Sequence, residues 1–592
     1  MLPNNTAKSF VDPMTNLSKL FVVLDINSNN LPSSMIYSWL FNFSGSLTDI
    51  YFSENALLDT IPEAFGTITN HKTLDLTNNG LEGGIPSSFR NLNHLHSLHL
   101  SANNLAQDLP SLFRNLPVRS LQVLDLYANK LSGPLPDFTT FTALTELYLK
   151  LNQLNGSFPE KFKQSSNLWI HDLANNHITG PLPDLSVFVS LRELYFERNL
   201  LHGTLSERLG SFSKLESLGA SSNFFQGTIV EQHVTNLSRL VYLDLSYNSL
   251  ALDLSPDWSP PFQLDVIWLS SCKLGSSFPG WLKTQTNLSV LDISDVGINY
   301  TVPSWFWESL NPGLRYLNMS SNQMHGMVPN LFTFVSSGYH CTNSKHNMFN
   351  GSISSLCNVT TLNRLDLSNN KLSGMLPNCL NNLDSLYILN LENNRFTGTI
   401  PALIEALQLL HMMSMCGNSL TGEIPLSLRN CKELQLLDLG ENQLSGTIPE
   451  WIGESLSSLL VLSLPSNRFH GTIPTSLCKL KKIQILDLSV NNISGNIPKC
   501  LENFSEMTMR EKGTPDASIE YNAIGLERTR LVSRSRYVFK VLLHVILNEM
   551  IWEKVVFSLT DRVFKLFTNH YSKQLPNQHC SKQLPNQLST LL

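Results

Sequence analysis

Hydrophobic and polar positions along this chain follow one frame that recurs about every 24 residues. Residues 121–133 read Leu-x-x-Leu-x-Leu-x-x-Asn-x-Leu-x-Gly, and residues 362–374 repeat the same order. The frame fits about 20 times. Its Asn position is filled in turn by Asn29, Asn55, Asn79, Asn103, Asn129, Asn152, Asn176, Asn199, Asn223, Asn248, Cys272, Val296, Asn322, Asn347, Asn370, Asn394, Asn418, Asn442, Asn467 and Asn491. This regularity predicts one stack of repeats rather than several unrelated domains.

The frame predicts an α/β solenoid of the leucine-rich-repeat type. Alternate side chains of Leu-x-Leu point inward, so each repeat contributes a short strand with one buried face. Strands of successive repeats are expected to pair in parallel, as a sheet on the concave face. The Asn that follows each strand is expected to satisfy buried backbone groups where the chain turns inward. Since no repeat can bury its own Leu ridge, the core and the stability come from stacking.

Composition and motifs exclude several classes of function. Charged residues are 15% of the chain and the net charge is -6, whereas nucleic-acid binding needs concentrated Lys and Arg. The sequence contains no P-loop, dinucleotide-binding, zinc-protease or kinase motif. Asp recurs four positions before the Asn position, and we interpret it as a solvent-facing strand residue rather than a catalytic or metal-binding row. We therefore expect no enzymatic activity, no cofactor and no metal site.

The residues after the Asn position carry a family resemblance. Gly446-Thr447-Ile448-Pro449 and Gly471-Thr472-Ile473-Pro474 both read Gly-x-Ile-Pro, which resembles the plant extracellular class of leucine-rich repeat. Residues Pro260 to Trp307 and Ile448 to Cys478 resemble plant receptor-like proteins of the ethylene-inducing-xylanase receptor type, from the disease-resistance family. The resemblance covers roughly residues 17 to 520.

Four segments are expected along the chain. They are a short N-terminal segment without a recognisable cap (1–16), the solenoid (17–501, degenerate near 331–350), an island-like segment (502–521) and an aberrant or divergent tail (522–592). The sequence shows no signal peptide and no apolar run of the length a membrane span requires. Members of the family have both, so we interpret the chain as truncated at both ends.

The resemblance implies a ligand-binding ectodomain of a kinase-less plant cell-surface receptor, acting in defence. Family members lie at the extracellular side of the plasma membrane, bind protein, peptide or glycan ligands and signal through a partner receptor-like kinase. Three alternatives stay open: a secreted inhibitor of a microbial cell-wall hydrolase, a developmental peptide receptor and a non-functional gene fragment.

The expected ligand-binding surface is the concave sheet between the fifth and eleventh repeats. Most repeats place small or acidic residues there, whereas this stretch carries the aromatic and charged types enriched at interfaces. The candidates are Tyr127, Glu146, Tyr148, Lys150, Trp169, Arg192, Glu193, Tyr195, Glu197, Arg198, Tyr242, Tyr247 and Trp268. The alternative is that a large solenoid surface carries some Tyr without function.

Sequons and cysteines favour an extracellular compartment. Expected glycosylation positions, each heading Asn-x-Ser/Thr, are Asn155, Asn236, Asn287, Asn318, Asn350 and Asn358. Cys357 and Cys379 have the same spacing as Cys478 and Cys500, and each pair falls on consecutive repeats. Adjacent repeats bring Cα atoms within disulfide reach, so we predict two disulfides, with buried thiols as the alternative.

Overall fold

The structure is a computed structural model. It describes residues 22–32, 37, 40–41, 47–160, 162, 166–205, 209–210, 212–308, 313–327, 340–354, 362–378, 380, 383–402 and 407–500. These residues belong to two compact units that divide after Leu434. The predicted segments 1–16, 502–521 and 522–592 lie outside the described residues.

Short strands, one per repeat, form a parallel main sheet in the first unit. In the three-residue strands the central residue is the inward Leu of Leu-x-Leu or its substitute, and the residues on either side point outward. In Leu362–Asp366 the inward residue is Leu365. The strands are Val23–Asp25, Asp49–Tyr51, Thr73–Asp75, Ser97–His99, Val123–Asp125, Glu146–Tyr148, Ile170–Asp172, Glu193–Tyr195, Ser217–Gly219, Tyr242–Asp244, Val266–Trp268, Val290–Asp292, Tyr316–Asn318, His340–Asn343, Leu362–Asp366, Ile388–Asn390 and Met412–Ser414. The second unit continues the pattern with Leu436–Asp438, Val461–Ser463 and Ile485–Asp487.

Strand register follows the sequence frame. Leu147 pairs with both Leu124 and His171, and His171 pairs with Leu194. Outward residues at the same frame position therefore form rows across the sheet, one strand spacing of about 4.8 Å apart. The predicted solenoid with a parallel sheet is confirmed.

The Asn after each strand makes the hydrogen bonds that the sequence predicts. The Nδ2 of Asn129 donates to the backbone oxygens of Leu100, Leu126 and Tyr127 at 2.9, 3.2 and 3.2 Å. Its Oδ1 accepts from the backbone N–H of Leu105 at 3.0 Å. Asn129 is 8% exposed, so one side chain satisfies four backbone groups and ties two repeats together. We call this row of Asn residues the Asn ladder.

The ladder changes where Cys272 and Val296 replace Asn. The Cys272 thiol donates to the backbone oxygen of Leu245 at 3.3 Å, and burial raises its pKa to about 12. Val296 has no polar side-chain atom. The Oδ1 of Asn322 accepts instead from the backbone N–H groups of both Val296 and Ile298.

A second set of short parallel strands follows the main-sheet strands in most repeats. Its Gly residues take positive φ, as at Gly398 (76°) and Gly446 (88°), which explains the recurring Gly of the sequence frame. In the first unit the strands are Glu82–Gly83, Asn104–Leu105, Ser132–Gly133, Gln153–Ser157, His177–Pro181, Leu200–Thr204, Phe224–Ile229, Ser249–Leu252, His325–Met327, Met348–Gly351, Lys371–Met375, Arg395–Thr399 and Ser419–Gly422. In the second unit they are Gln443–Thr447, Arg468–Gly471 and Asn492–Ile493.

Helical turns complete the repeats on the side away from the main sheet. Several begin directly after Pro, as at Pro86 and Pro474, because Pro has φ preset for a helix start and its missing N–H is not needed there. The 3₁₀ turns are Glu63–Thr67, Ser87–Asn91, Phe138–Thr140, Gly280–Thr284, Leu426–Asn430 and Thr475–Lys479. The α-helical turns are Leu109–Phe113, Glu231–Val234, Ser304–Glu308 and Trp451–Ser455. In the part of the chain that the structure describes, no helix has the length and apolarity to cross a membrane.

The interior contains polar substitutions that the frame does not predict, among them His71 and His171. His171 occupies an inward Leu position, is 2% exposed, and its ring lies 4.8 Å from that of Phe138. Its Nε2 is buried without a hydrogen-bond partner. Burial lowers the pKa of His171 to about 3, so this ring stays neutral inside the fold.

The recurring Asp of the strands is more than a solvent-facing residue. The Oδ1 of Asp125 accepts from the backbone N–H of Tyr127 at 3.0 Å, and Asp244 does the same for Ser246. Asp292 is 4% exposed and also accepts from Asn318 Nδ2 at 2.8 Å. The expectation of solvent exposure is therefore wrong at Asp292, Asp366, Asp438 and Asp487, which are at most 9% exposed, because the Asp side chain folds back onto the turn that follows the strand.

Candidate functional site

Outward residues at the last position of seven consecutive main-sheet strands form a row of acidic and aromatic side chains that Gly219 interrupts. Register places each member beside the next. We call this the aromatic–acid row, and it consists of Asp125, Tyr148, Asp172, Tyr195, Gly219, Asp244 and Trp268. It lies on the outward face of the main sheet, here called the front face, where the sequence predicts ligand contacts.

Two tyrosines of the row are oriented by glutamates on their own strands. The Tyr148 hydroxyl donates to Glu146 Oε2 at 3.0 Å, and the Tyr195 hydroxyl donates to Glu193 Oε2 at 3.3 Å. Both rings are half-buried. Burial, with the Glu146 hydrogen bond and charge, raises the pKa of Tyr148, and burial raises that of Tyr195 to about 12. Both hydroxyls therefore remain protonated donors at physiological pH.

Gly219 opens space on the front face between its neighbours. The rings of Tyr195 and Tyr242, which lie two strands apart, approach to 6.1 Å between centroids at 73°. A Cβ built on Gly219 would collide with Oε1 of Glu197 and lie 2.9 Å from Cδ1 of Tyr195. The missing side chain therefore allows Glu197 and Tyr195 to lean across the adjacent strand.

Carboxylates on this part of the front face are poorly solvated. Burial raises the pKa of Glu197 to about 7, and the charges of Asp172 and Asp244 add to that rise while Lys150 opposes it. Burial also raises the pKa values of Asp172 and Asp244. The Oε2 of Glu197 is buried and accepts no hydrogen bond.

A second cluster lies at the edge where the main-sheet strands begin. The guanidinium carbon of Arg192 lies 5.6 Å from the centroid of the Trp169 ring, and Arg192 Nη1 lies 3.4 Å from Glu216 Oε1. Trp169 and Arg192 border a shallow depression of about 300 Å³ that Lys214 also lines. The pairing holds Arg192 in place and covers one face of the Trp169 ring.

The remaining candidate ligand-binding residues contact the other candidates less closely. Trp268 packs against Tyr316, with ring centroids 5.0 Å apart, rather than against the other predicted aromatics. Tyr127 is 38% exposed and Tyr247 61% exposed. Arg198 is exposed, and its charge acts on Asp244. Tyr247 and Arg198 both have positive φ, because they occupy the turn that precedes the Asn ladder.

Sequence reasoning missed four contributors to this face. Asp172 and Asp244 were assigned to the regular Asp position, and nothing in one repeat distinguishes them from the others. Gly219 can be recognised in the sequence only by comparing repeats, because the neighbouring repeats have Asp or Tyr at that position. Tyr316 lies one repeat beyond the predicted range. Among the described residues, no group of three or more His, Cys, Asp or Glu side chains is placed to hold a metal ion.

The cysteine predictions have different outcomes. The structure joins Cys478 and Cys500 by a disulfide, with Cα atoms 5.7 Å apart, and its formation in the secreted protein stays a prediction. Cys357 and Cys379 lie outside the described residues. The described thiols of Cys272, Cys416 and Cys431 are buried.

The glycosylation predictions need one correction. Asn155, Asn236, Asn287 and Asn350 are exposed, so these four positions remain predictions. Asn318 lies in a main-sheet strand, is 8% exposed and uses its amide group to bind Asp292 and the backbone N–H of Ser320. A glycan has no room there, and we withdraw Asn318. Asn358 lies outside the described residues.

Comparison with known proteins agrees with the repeat architecture. The Leucine Rich Repeat family model matches residues 72–92, 94–116, 361–383, 385–407, 433–455 and 482–504. Receptor-like protein EIX2 from Solanum lycopersicum is 42% identical over 414 residues, which are 62% of this chain and 40% of the relative. Receptor-like protein EIX1 from the same organism is 50% identical over 358 residues, 56% of this chain and 34% of the relative. The chain thus spans well under half the length of these relatives.

Solved structures similar to this chain are plant leucine-rich-repeat ectodomains. One is the ectodomain of the receptor kinase GASSHO1/SCHENGEN3 from Arabidopsis thaliana in complex with CASPARIAN STRIP INTEGRITY FACTOR 2, with a TM-score of 0.70 and 28% identity over 80% of this chain and 59% of that one. Another is the Arabidopsis receptor kinase HAESA with the peptide hormone IDA and the co-receptor SERK1, with a TM-score of 0.61 and 27% identity. The match covers 82% of this chain and 85% of the HAESA chain. The chain therefore has a leucine-rich-repeat fold and is similar over its repeats to the plant receptor-like proteins EIX2 and EIX1.

Proposed function

We propose that this chain is the ligand-binding ectodomain of a kinase-less receptor-like protein at the extracellular side of the plant plasma membrane. The sequence relatives carry the name receptor-like protein, and the similar ectodomains are solved with peptide or protein factors bound. The sequence itself contains no kinase motif, so signalling would require a partner.

The aromatic–acid row is the observation that carries this proposal. A repeat needs a Leu, an Asn and a turn, but it does not need Tyr148, Tyr195 or Tyr242 on its front face. Solvent-facing aromatic rings with hydroxyl donors held by neighbouring carboxylates suit contact with a second molecule. Tyr148 and Tyr195 belong to the row, and Tyr242 stands beside it on the strand that ends at Asp244. The three tyrosines lie on alternate strands of one continuous surface.

Defence signalling through a receptor-like kinase is the finer part of the proposal. It is supported by the resemblance to the ethylene-inducing-xylanase receptor type. The HAESA complex shows that a similar ectodomain assembles with a co-receptor, SERK1. We propose a comparable partner kinase for this chain.

Binding of an ethylene-inducing xylanase tests the proposal. The full chain, secreted from plant cells behind an added signal peptide, is immobilised and titrated with purified xylanase. The triple variant Tyr148→Ala, Tyr195→Ala and Tyr242→Ala should weaken binding by about 100-fold, since aromatic hot spots contribute about 2 kcal/mol or more when truncated.

A matched control removes exposed aromatics that lie away from the row. Phe224 and Tyr300 are 60% and 51% exposed and belong to no main-sheet strand. Phe224→Ala with Tyr300→Ala should leave xylanase binding unchanged. Undiminished binding by the tyrosine triple variant would contradict the proposed surface.

A further inference from the structure

The front face near Tyr195 carries more negative charge than its own cations neutralise. Five carboxylates lie on four of five consecutive repeats: Glu146, Asp172, Glu193, Glu197 and Asp244. The cations whose charges act on this group are Lys150, on Glu197 and Asp172, and Arg198, on Asp244. Arg192 lies at the strand edge, beside Glu216. The free protein therefore keeps an excess of carboxylates on a partly dehydrated surface.

Glu197 shows most directly that this surface lacks a partner. Its side chain leans over Gly219, and its Oε2 is buried without a hydrogen bond. A buried carboxylate oxygen without a donor is unfavourable, since water no longer solvates it and no protein group replaces the water. A positive charge brought close by a second molecule would lower that cost.

Aromatic rings border the same carboxylates. Tyr148 and Tyr195 flank Asp172 in the sheet register, and Tyr242 meets Tyr195 across Gly219. Strands two apart are separated by about 10 Å, so a side chain seated over Asp172 would lie between two rings. Faces of aromatic rings attract cations, and Tyr is one of the rings that does so.

We infer that the aromatic–acid row from Tyr148 to Asp244 binds a Lys or Arg side chain presented by a protein or peptide ligand. The inference rests on the proposed function and names the ligand chemistry of the same face. A cation offsets the repulsion among Asp172, Glu197 and Asp244, while the rings enclose its alkyl stem. An acidic segment would be repelled, and a neutral glycan would leave the carboxylates unpaired.

Four synthetic probes test the inference without knowledge of the natural ligand. They are ten-residue Gly/Ser-rich peptides with blocked ends, identical except for a central Lys, Arg, norleucine or Glu. Each is titrated against the secreted full chain at low salt. The Lys and Arg peptides should bind about 10-fold more tightly than the norleucine peptide, and the Glu peptide more weakly still.

Variants locate the effect on the row. Asp172→Asn with Glu197→Gln keeps side-chain size and should bring the Lys peptide to within about twofold of the norleucine peptide. Gly219→Ala displaces Glu197 without removing any charge, and should lower the Lys preference as well. The control pair Glu160→Gln and Asp257→Asn removes two charges from exposed carboxylates outside the main sheet and should retain the full preference.

The outcomes separate this inference from the proposed function. Equal or absent binding of all four peptides, or a Lys preference that persists in Asp172→Asn with Glu197→Gln, would overturn the inference. If the tyrosine triple variant loses xylanase while the carboxylate variant keeps it, the proposed function stands and the inference fails. Unfolding midpoints measured on each variant exclude misfolding as the cause.

Discussion

The Asn ladder and the aromatic–acid row run side by side through the same repeats, yet they obey different rules. Asn129 is nearly buried and satisfies four backbone groups, and the other ladder residues repeat its contacts with little change. Tyr148, Asp172, Tyr195 and Gly219 occupy equivalent positions in successive strands, yet they include phenols, a carboxylate and a residue without a side chain. The difference teaches that stacking dictates the interior position and leaves the outward one free to vary.

That freedom explains why the two regions respond differently to substitution. A ladder residue has partners in two repeats, so its loss leaves buried backbone groups unpaired. A residue of the row has its main contacts with neighbouring side chains and solvent. We therefore expect changes in the ladder to alter stability and changes in the row to alter binding.

The largest effect on stability is expected for Asn129→Leu. The substitution leaves one N–H and three carbonyl groups without their side-chain partner, and we expect a loss of about 3 kcal/mol in the free energy of unfolding. Urea unfolding followed by circular dichroism measures it. Asn93→Leu, at an exposed turn position, is the matched control and should change little.

An intermediate, pH-dependent effect is expected for His171→Leu. The pKa of His171 is about 3 in the folded chain, against 6.5 as the ordinary value. The unfolded chain therefore takes up a proton that the folded chain does not, and stability falls as the pH drops from about 6.5 toward 3. At pH 5 this amounts to about 2 kcal/mol.

Urea unfolding of both proteins at pH 7.5 and pH 5 measures the difference. His171→Leu should lose about 2 kcal/mol less stability than the wild type over that interval. His94→Leu, at an exposed position, should lose as much as the wild type. An identical pH dependence of His171→Leu and the wild type would show that His171 is protonated in the folded chain.

The smallest effect on stability is expected for Tyr247→Ala. Tyr247 is 61% exposed, so its removal should change the free energy of unfolding by less than about 0.5 kcal/mol. Thermal and urea unfolding measure it. A loss close to that of Asn129→Leu would mean that the front face, like the ladder, is part of the structural core.

The sequence predicts the ladder and the strands because their residues repeat. Asn129 is recognisable from one repeat, since its contacts are the same in each. The residue type of His171 does not predict that its side chain is buried, although the frame assigns it an inward position. The row was predicted in part: Tyr148 and Tyr195 stand out as departures, while Asp172 is hidden among regular Asp residues and gains its role from the neighbours that register brings to it.

The burial of Asn318 and Asp292 illustrates the same limit. From the sequence, Asn318 is interpreted as the first residue of a sequon and Asp292 as a solvent-facing strand residue. Both interpretations consider one repeat at a time. Their hydrogen bond joins two consecutive strands and buries both side chains. Contacts between repeats therefore decide what an outward position does.

One paired measurement tests the division between ladder and row most directly. Xylanase affinity and the urea midpoint are measured on the same preparations of wild type, Asn129→Leu and the triple variant of Tyr148, Tyr195 and Tyr242 to Ala. We predict that Asn129→Leu lowers the midpoint and, while folded, keeps its affinity, whereas the triple variant keeps a midpoint near that of the wild type and loses about 100-fold in affinity. A triple variant that binds xylanase as tightly as the wild type would contradict the account.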